Sequence, residues 1–130
     1  MIFTDTSALY AIVDRDDENH VAARNTWERL LRSSQTLLTH NYVLVETAAL
    51  VQTRLGMTAL RLVQERIIPV LRVYWITESH HRIAIEMAVA ADRRKLSLVD
   101  CVSFLTMRSH GVSDAFCFDK HFAEQGFSIL

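Results

Sequence analysis

Ile2-Phe3-Thr4-Asp5-Thr6-Ser7-Ala8-Leu9-Tyr10-Ala11-Ile12-Val13 is the stretch that decides the fold. Three residues of strand-forming character end at an acid, and an apolar segment of helical character follows from Thr6 to Val13. The same order returns near the other end of the chain. Ala115 to Phe118 read as a strand, and Asp119 to Glu124 as a short helix. Between them, Thr36 to Thr39 and Val70 to Trp75 are further short apolar strands, and Phe127 to Leu130 is a last one.

Longer helices separate these strands. Asp14 to Asn19 form an acidic link, after which an amphipathic helix runs from about Glu18 to Arg32, with Val21, Ala22, Trp27, Leu30 and Leu31 as its apolar stripe. After the polar break Ser33 to Gln35, Asn41 to Leu55 is a helix closed by Gly56. Thr58 is placed to cap the next helix, which Pro69 ends. Thr77 opens a helix to about Ala91, a charged turn covers Asp92 to Lys95, and Ser97 to His110 is a helix stopped by Gly111. Short strands alternating with helices predict an α/β domain, a mostly parallel central sheet with helices on both faces. No repeat, linker or low-complexity stretch divides residues 1–130, which read as one domain.

Composition agrees. Half of the 130 residues are hydrophobic, and Gly and Pro are scarce, which excludes a disordered chain. The net charge of −1 excludes a globally basic nucleic-acid binder, so any contact with nucleic acid rests on local basic patches. Cys101 and Cys117 lie in apolar segments and read as buried thiols, not a disulfide. The start has no signal-peptide pattern, and no apolar run approaches the ~20 residues that span a bilayer, so a cytoplasmic protein is expected.

The acids carry the chemistry. In parallel sheets, ligands bind beyond the carboxyl ends of the strands, where Asp5 and Asp119 sit. Each also reads as a helix N-cap, a role that stabilises by about 1 kcal/mol. Ser97-Leu98-Val99-Asp100 likewise reads as a capping box. Glu46 is different, because it lies in mid-helix among Tyr42, Val43, Ala49 and Leu50. A carboxylate on that apolar face needs a cation, either an arginine or a metal shared with the other acids. A shared Mg²⁺ or Mn²⁺ relieves the mutual repulsion of clustered carboxylates, acidifies a bound water and steadies an in-line attack on phosphorus.

Taken together, Phe3-Thr4-Asp5-Thr6-Ser7-Ala8-Leu9, Val45-Glu46-Thr47, Leu96-Ser97-Leu98-Val99-Asp100-Cys101-Val102-Ser103-Phe104 and Phe118-Asp119-Lys120-His121-Phe122 make the sequence resemble the PIN domain, nearly end to end, and within it the VapC-type toxins of toxin–antitoxin pairs. The resemblance implies a PIN-like three-layer α/β/α sandwich and a metal-dependent ribonuclease that leaves a 5′-phosphate. It implies Asp5, Glu46, Asp100 and Asp119 as metal ligands, direct or through water, with Thr6 and Ser7 orienting Asp5 or a water. It also implies a homodimer and a cognate antitoxin whose C-terminal segment lies over the site. Val99 departs from the family pattern, since many relatives carry Thr or Ser before the third aspartate.

Arg93, Arg94, Lys95 and Lys120 are the basic candidates for RNA phosphates, although the first three also read as a solvated turn. His121 reads as a surface residue with a lesser phosphate role. Adjacent His80 and His81 point about 100° apart on a helix and make a poor chelate. Trp27 and Trp75 read as core and not as base-stacking platforms. Two other functions compete: a PIN-like module that binds RNA or protein without cutting, and a phosphotransferase with Asp5 as nucleophile. Ser7 argues against the second, because such enzymes usually carry another Asp there.

Overall fold

A computed structural model describes all of residues 1–130. Its elements are β1 (Ile2–Thr4), α1 (Thr6–Val13), α2 (His20–Arg32), β2 (Leu37–His40), α3 (Asn41–Leu55), α4 (Met57–Leu62), β3 (Arg72–Tyr74), α5 (Glu78–Ala91), α6 (Leu98–Ser109), β4 (Asp114–Phe116), α7 (Lys120–Glu124) and β5 (Ser128–Ile129). The five strands form one sheet in the order β3-β2-β1-β4-β5, and every pairing is parallel. The expected α/β/α sandwich is therefore present, with a wholly parallel sheet where a mostly parallel one was expected.

The order decides where a ligand binds. The chain builds outward from β1 to β2 and β3, then crosses back to place β4 on the other side of β1. Right-handed crossovers consequently change faces at this point. The gap between β1 and β4 is the topological switch point, the place where parallel α/β sheets bind ligands. Asp5 follows β1 directly, and Asp119 follows β4 after Cys117 and Phe118.

The core is apolar on both sides of the sheet. Phe3, Phe104, Phe116 and Phe122 are among its largest fully buried side chains. Phe122 brings its ring centroid to 5.1 Å from Phe104 and 6.0 Å from Phe3, which pins α7 to α6 and to the central strand. Trp27 is buried as expected, and both cysteines are buried and free.

Several boundaries differ from the sequence reading. α2 begins at His20 and not Glu18, because Asp17 accepts the Asn19 N–H in a turn that occupies the preceding residues. Thr58 caps nothing: Gly56, at φ 91°, breaks the chain, and α4 has begun before Thr58 is reached. Pro69 does not end that segment from outside. The helix widens to a π-helical stretch over Val63–Ile67 and tightens to a 3₁₀ turn over Ile68–Val70, and Pro69 sits inside that last turn, where no N–H is needed. β2 extends to His40, whose extended backbone pairs with Tyr74. β3 stops at Tyr74, and Trp75 beyond it is 68% exposed, so it is a surface residue and not part of the core. β4 ends at Phe116 because the Phe118 N–H turns away to Ser7.

Candidate active site

Asp5 leaves β1 in extended conformation and caps α1. Its Oδ2 accepts the Ser7 N–H at 3.1 Å and the Ser7 hydroxyl at 2.7 Å, while its own N–H donates to the Phe116 carbonyl of β4. Ser7 Oγ in turn accepts the Phe118 N–H at 2.9 Å. One hydroxyl thus ties the segment carrying Asp119 to the carboxyl of Asp5, across 111 residues of chain. Thr6 takes no part in this chain, because its hydroxyl is buried and reaches no hydrogen-bond partner. Of the two residues expected to orient Asp5, Ser7 does so.

Asp100 and Asp119 are fastened by the same device. Asp100 Oδ2 accepts the Ser97 N–H, and Ser97 Oγ accepts the Asp100 N–H, both at 3.0 Å, which completes the capping box. Asp119 caps α7 by accepting the His121 N–H on Oδ1 at 2.9 Å. The capping role and the clustering do not exclude each other. In each acid one oxygen is held by backbone and the second oxygen is left without a hydrogen bond.

Glu46 projects from the middle of α3 and lines an open groove of about 370 Å³ with Asn41, Tyr42, Val45, Ala49 and Val99. It is half-buried, less enclosed than its apolar neighbours suggested, because α3 buries Val43, Thr47 and Val51 instead. It has no arginine partner. Val99 presents an alkyl surface to this groove.

The acids sense one another. Burial pushes the Asp5 carboxyl up to about 6, and the charges of Asp100 and Glu46 push the same way, against the Ser7 hydrogen bonds. Burial likewise raises Asp100, and Asp119 adds to the rise. Burial drives the Cys117 thiol beneath them to about 12, so it is inert at neutral pH. His40, buried at the end of β2, is pushed down to about 3 and stays neutral, with its ring bonded to Ser103 Oγ and to the Val43 N–H.

His121 departs furthest from its expected surface position. It is 8% exposed, with Nδ1 2.9 Å from Asp119 Oδ1 and 3.7 Å from Asp100 Oδ2. The sequence held a weak signal for it: Phe122, next in line, had to enter the core. The basic candidates are all exposed. Arg93 pairs with Glu124 at 3.1 Å and so links the α5–α6 turn to α7, whereas Arg94, Lys95 and Lys120 have no carboxylate partner. His80 and His81 bond to Tyr74 and Tyr42 respectively and do not chelate.

The donor set fits a hard divalent cation: carboxylate oxygens not used up by capping, with two carboxyls held above their ordinary range by burial and, to a lesser extent, by neighbouring negative charges. A parallel α/β domain with clustered acids beyond its strand ends has the donor set that metal-assisted phosphoryl chemistry uses. The chain belongs to the PIN domain family, whose model matches residues 2–128. It is of the VapC toxin nuclease type within that family: it is 35% identical over 128 residues, 98% of this chain and 95% of the relative, to the 23S rRNA-specific endonuclease VapC20 of Mycobacterium tuberculosis. The crystal structure of that sarcin–ricin loop cleaving toxin superposes with a TM-score of 0.87 at 34% identity, covering 98% of this chain and 96% of the other. FitAcB from Neisseria gonorrhoeae shares the fold at a TM-score of 0.68 and 14% identity, covering all of this chain and 96% of that one. PIN nucleases depend on divalent metal, and VapC toxins pair with antitoxins.

Proposed function

We propose that residues 1–130 form a single PIN domain acting as a divalent-metal-dependent endoribonuclease, the toxin of a type II toxin–antitoxin pair. The observation that supports this reading is the group Asp100, Asp119 and His121, whose donor atoms lie within 4.8 Å of one another, together with Asp5, whose carboxyl senses the charges of Asp100 and Glu46. Asp5, Glu46, Asp100 and Asp119 would hold Mg²⁺ or Mn²⁺. When bound, the ion supplies the positive charge that a phosphodiester under attack requires and acidifies water at the site.

The chain's own residues do the rest. Ser7 fixes the Asp5 carboxyl and, through Phe118, the spacing between Asp5 and Asp119. Ser97 fixes Asp100. Lys120, Arg94 and Lys95 supply phosphate contacts at the rim, while Arg93 is partly committed to Glu124. The likeness to a 23S rRNA-specific endonuclease makes a large-subunit rRNA loop the first substrate to examine. A homodimer, a cognate antitoxin covering the site, and action in the cytoplasm complete the reading. No helix is long and apolar enough to cross a membrane.

The test is incubation of purified protein with ribosomes and with total RNA, in Mg²⁺, Mn²⁺ or chelator. Defined cleavage is expected with metal, and its loss in Asp5→Asn and Asp100→Asn. Folded wild-type protein that cuts no RNA under either metal would sink the proposal. RNA binding without cleavage would leave the non-catalytic module in its place.

A further inference from the structure

Six histidines occur in the chain, and five have a hydrogen bond to a ring nitrogen. His20 reaches the Ala11 carbonyl, His40 reaches Ser103, His80 and His81 reach tyrosines, and His110 reaches the Thr106 carbonyl. His121 is the exception. Its Nδ1 is shut off from solvent and has no hydrogen-bond partner, although it lies among carboxylates. The 2.9 Å approach to Asp119 Oδ1 lacks the alignment of a hydrogen bond, and that oxygen is already used by the His121 N–H. A buried polar atom left this way costs about 1–3 kcal/mol.

The backbone that carries the ring is fixed on both sides. Its backbone N–H is held in the Asp119 cap, and the next residue, Phe122, is locked between Phe3 and Phe104. Asp100, Asp119 and His121 each offer one donor atom, and these atoms lie within 4.8 Å of one another. Two ligand atoms at right angles on an ion with bonds of about 2.1 Å lie about 3 Å apart, which is the spacing of Nδ1 and Asp119 Oδ1; that oxygen keeps its capping bond and would meet the ion on its remaining lone pair.

We propose that His121 Nδ1 is a ligand of the same metal centre, joining Asp100 and Asp119, and that this nitrogen makes the site select a transition ion such as Mn²⁺ over Mg²⁺. The inference rests on the metal-nuclease reading and deepens it. Carboxylate oxygens suit Mg²⁺ and Mn²⁺ alike, whereas imidazole nitrogen discriminates in favour of transition ions. His121→Asn is the informative variant, because the amide oxygen can occupy the place of Nδ1 and restores an all-oxygen donor set.

The experiment loads Mn²⁺ onto the full chain and reads nitrogen hyperfine coupling by pulsed electron paramagnetic resonance, with calorimetric titration of Mn²⁺ and Mg²⁺ alongside. Wild type should show ¹⁴N modulation that converts to a ¹⁵N pattern on ¹⁵N-histidine labelling, a result that needs no variant. In His121→Asn the modulation should vanish and the Mn²⁺-to-Mg²⁺ affinity ratio should fall about tenfold. Mn²⁺ bound by wild type without nitrogen coupling would overturn the inference and leave the metal-nuclease reading intact. So would coupling or an affinity ratio that persists unchanged in His121→Asn. No binding of either ion would overturn both.

Discussion

Asp5→Asn separates the energetic cost of the site from its chemistry. Asparagine is as good an N-cap as aspartate and keeps an oxygen for the Ser7 N–H and hydroxyl, so the local geometry has no reason to change. What it removes is a buried negative charge that faces Asp100 and Glu46. A carboxyl moved from 3.8 to about 6 by folding is destabilising by about 3 kcal/mol once ionised. The sign follows from proton binding. Between those two values the folded state holds the proton more tightly than the unfolded chain, so stability falls as pH rises through the window, and the full penalty is present above about pH 6. Against this, hydrogen bonds from Ser7 to a neutral amide are weaker than those to a carboxylate, by about 1 kcal/mol. In chelator at about pH 8, Asp5→Asn should therefore be more stable than wild type by about 2 kcal/mol. At about pH 4 the advantage should vanish or reverse slightly. Urea denaturation at both pH values measures it. A variant no more stable than wild type at about pH 8, or a difference that does not change with pH, would refute the reasoning.

Ser7→Ala removes a hydroxyl that donates to Asp5 and accepts from Phe118, leaving a backbone N–H unsatisfied; a loss of about 2–4 kcal/mol is expected in urea denaturation. It should also raise the Asp5 carboxyl further, moving the acidic limb of the cleavage pH profile to higher pH. Glu46→Gln, half-buried and unpaired, should alter metal-free stability by no more than about 0.5 kcal/mol while blunting the rise in melting temperature that Mn²⁺ gives wild type. An equal rise in both would remove Glu46 from the site. Replacing Arg94 and Lys95 together with alanine should lower the salt dependence of RNA binding by about 1–2 in log–log slope, whereas Arg93→Ala should change stability by less than about 1 kcal/mol, since its pair with Glu124 is surface-exposed.

The acids at strand ends were legible because local order suffices: an apolar triplet, an acid and an apolar helix put Asp5 in place, and the same order puts Asp119 opposite. The capping box at Ser97 and Asp100 was legible for the same reason. Glu46 was found by its setting among apolar residues, but only partly understood. Helical periodicity shows which residues share a face, and it does not show that α6 leaves this face covered only at its margin by Val99. The region after Gly56 misled, because a helix that widens through Val63–Ile67 leaves no trace in apolar spacing, and Thr58 looks like a cap whether or not a helix begins there. Trp75 is apolar in kind but lies one residue past its strand. His121 was misplaced for the opposite reason. Lys120 and Glu124 around it are exposed, and the residues that enclose it, Asp100 among them, come from other elements and cannot be read in its own neighbourhood.

Each of the three capping aspartates is anchored to backbone by one oxygen and offers the other. The shape of the centre is thus a property of the polypeptide and not of the ion. Stripping the metal should leave a folded, idle protein that can be reloaded repeatedly, and inside a cell its output would follow the free divalent-ion level as a dial follows the hand, with no unfolding step between rest and work.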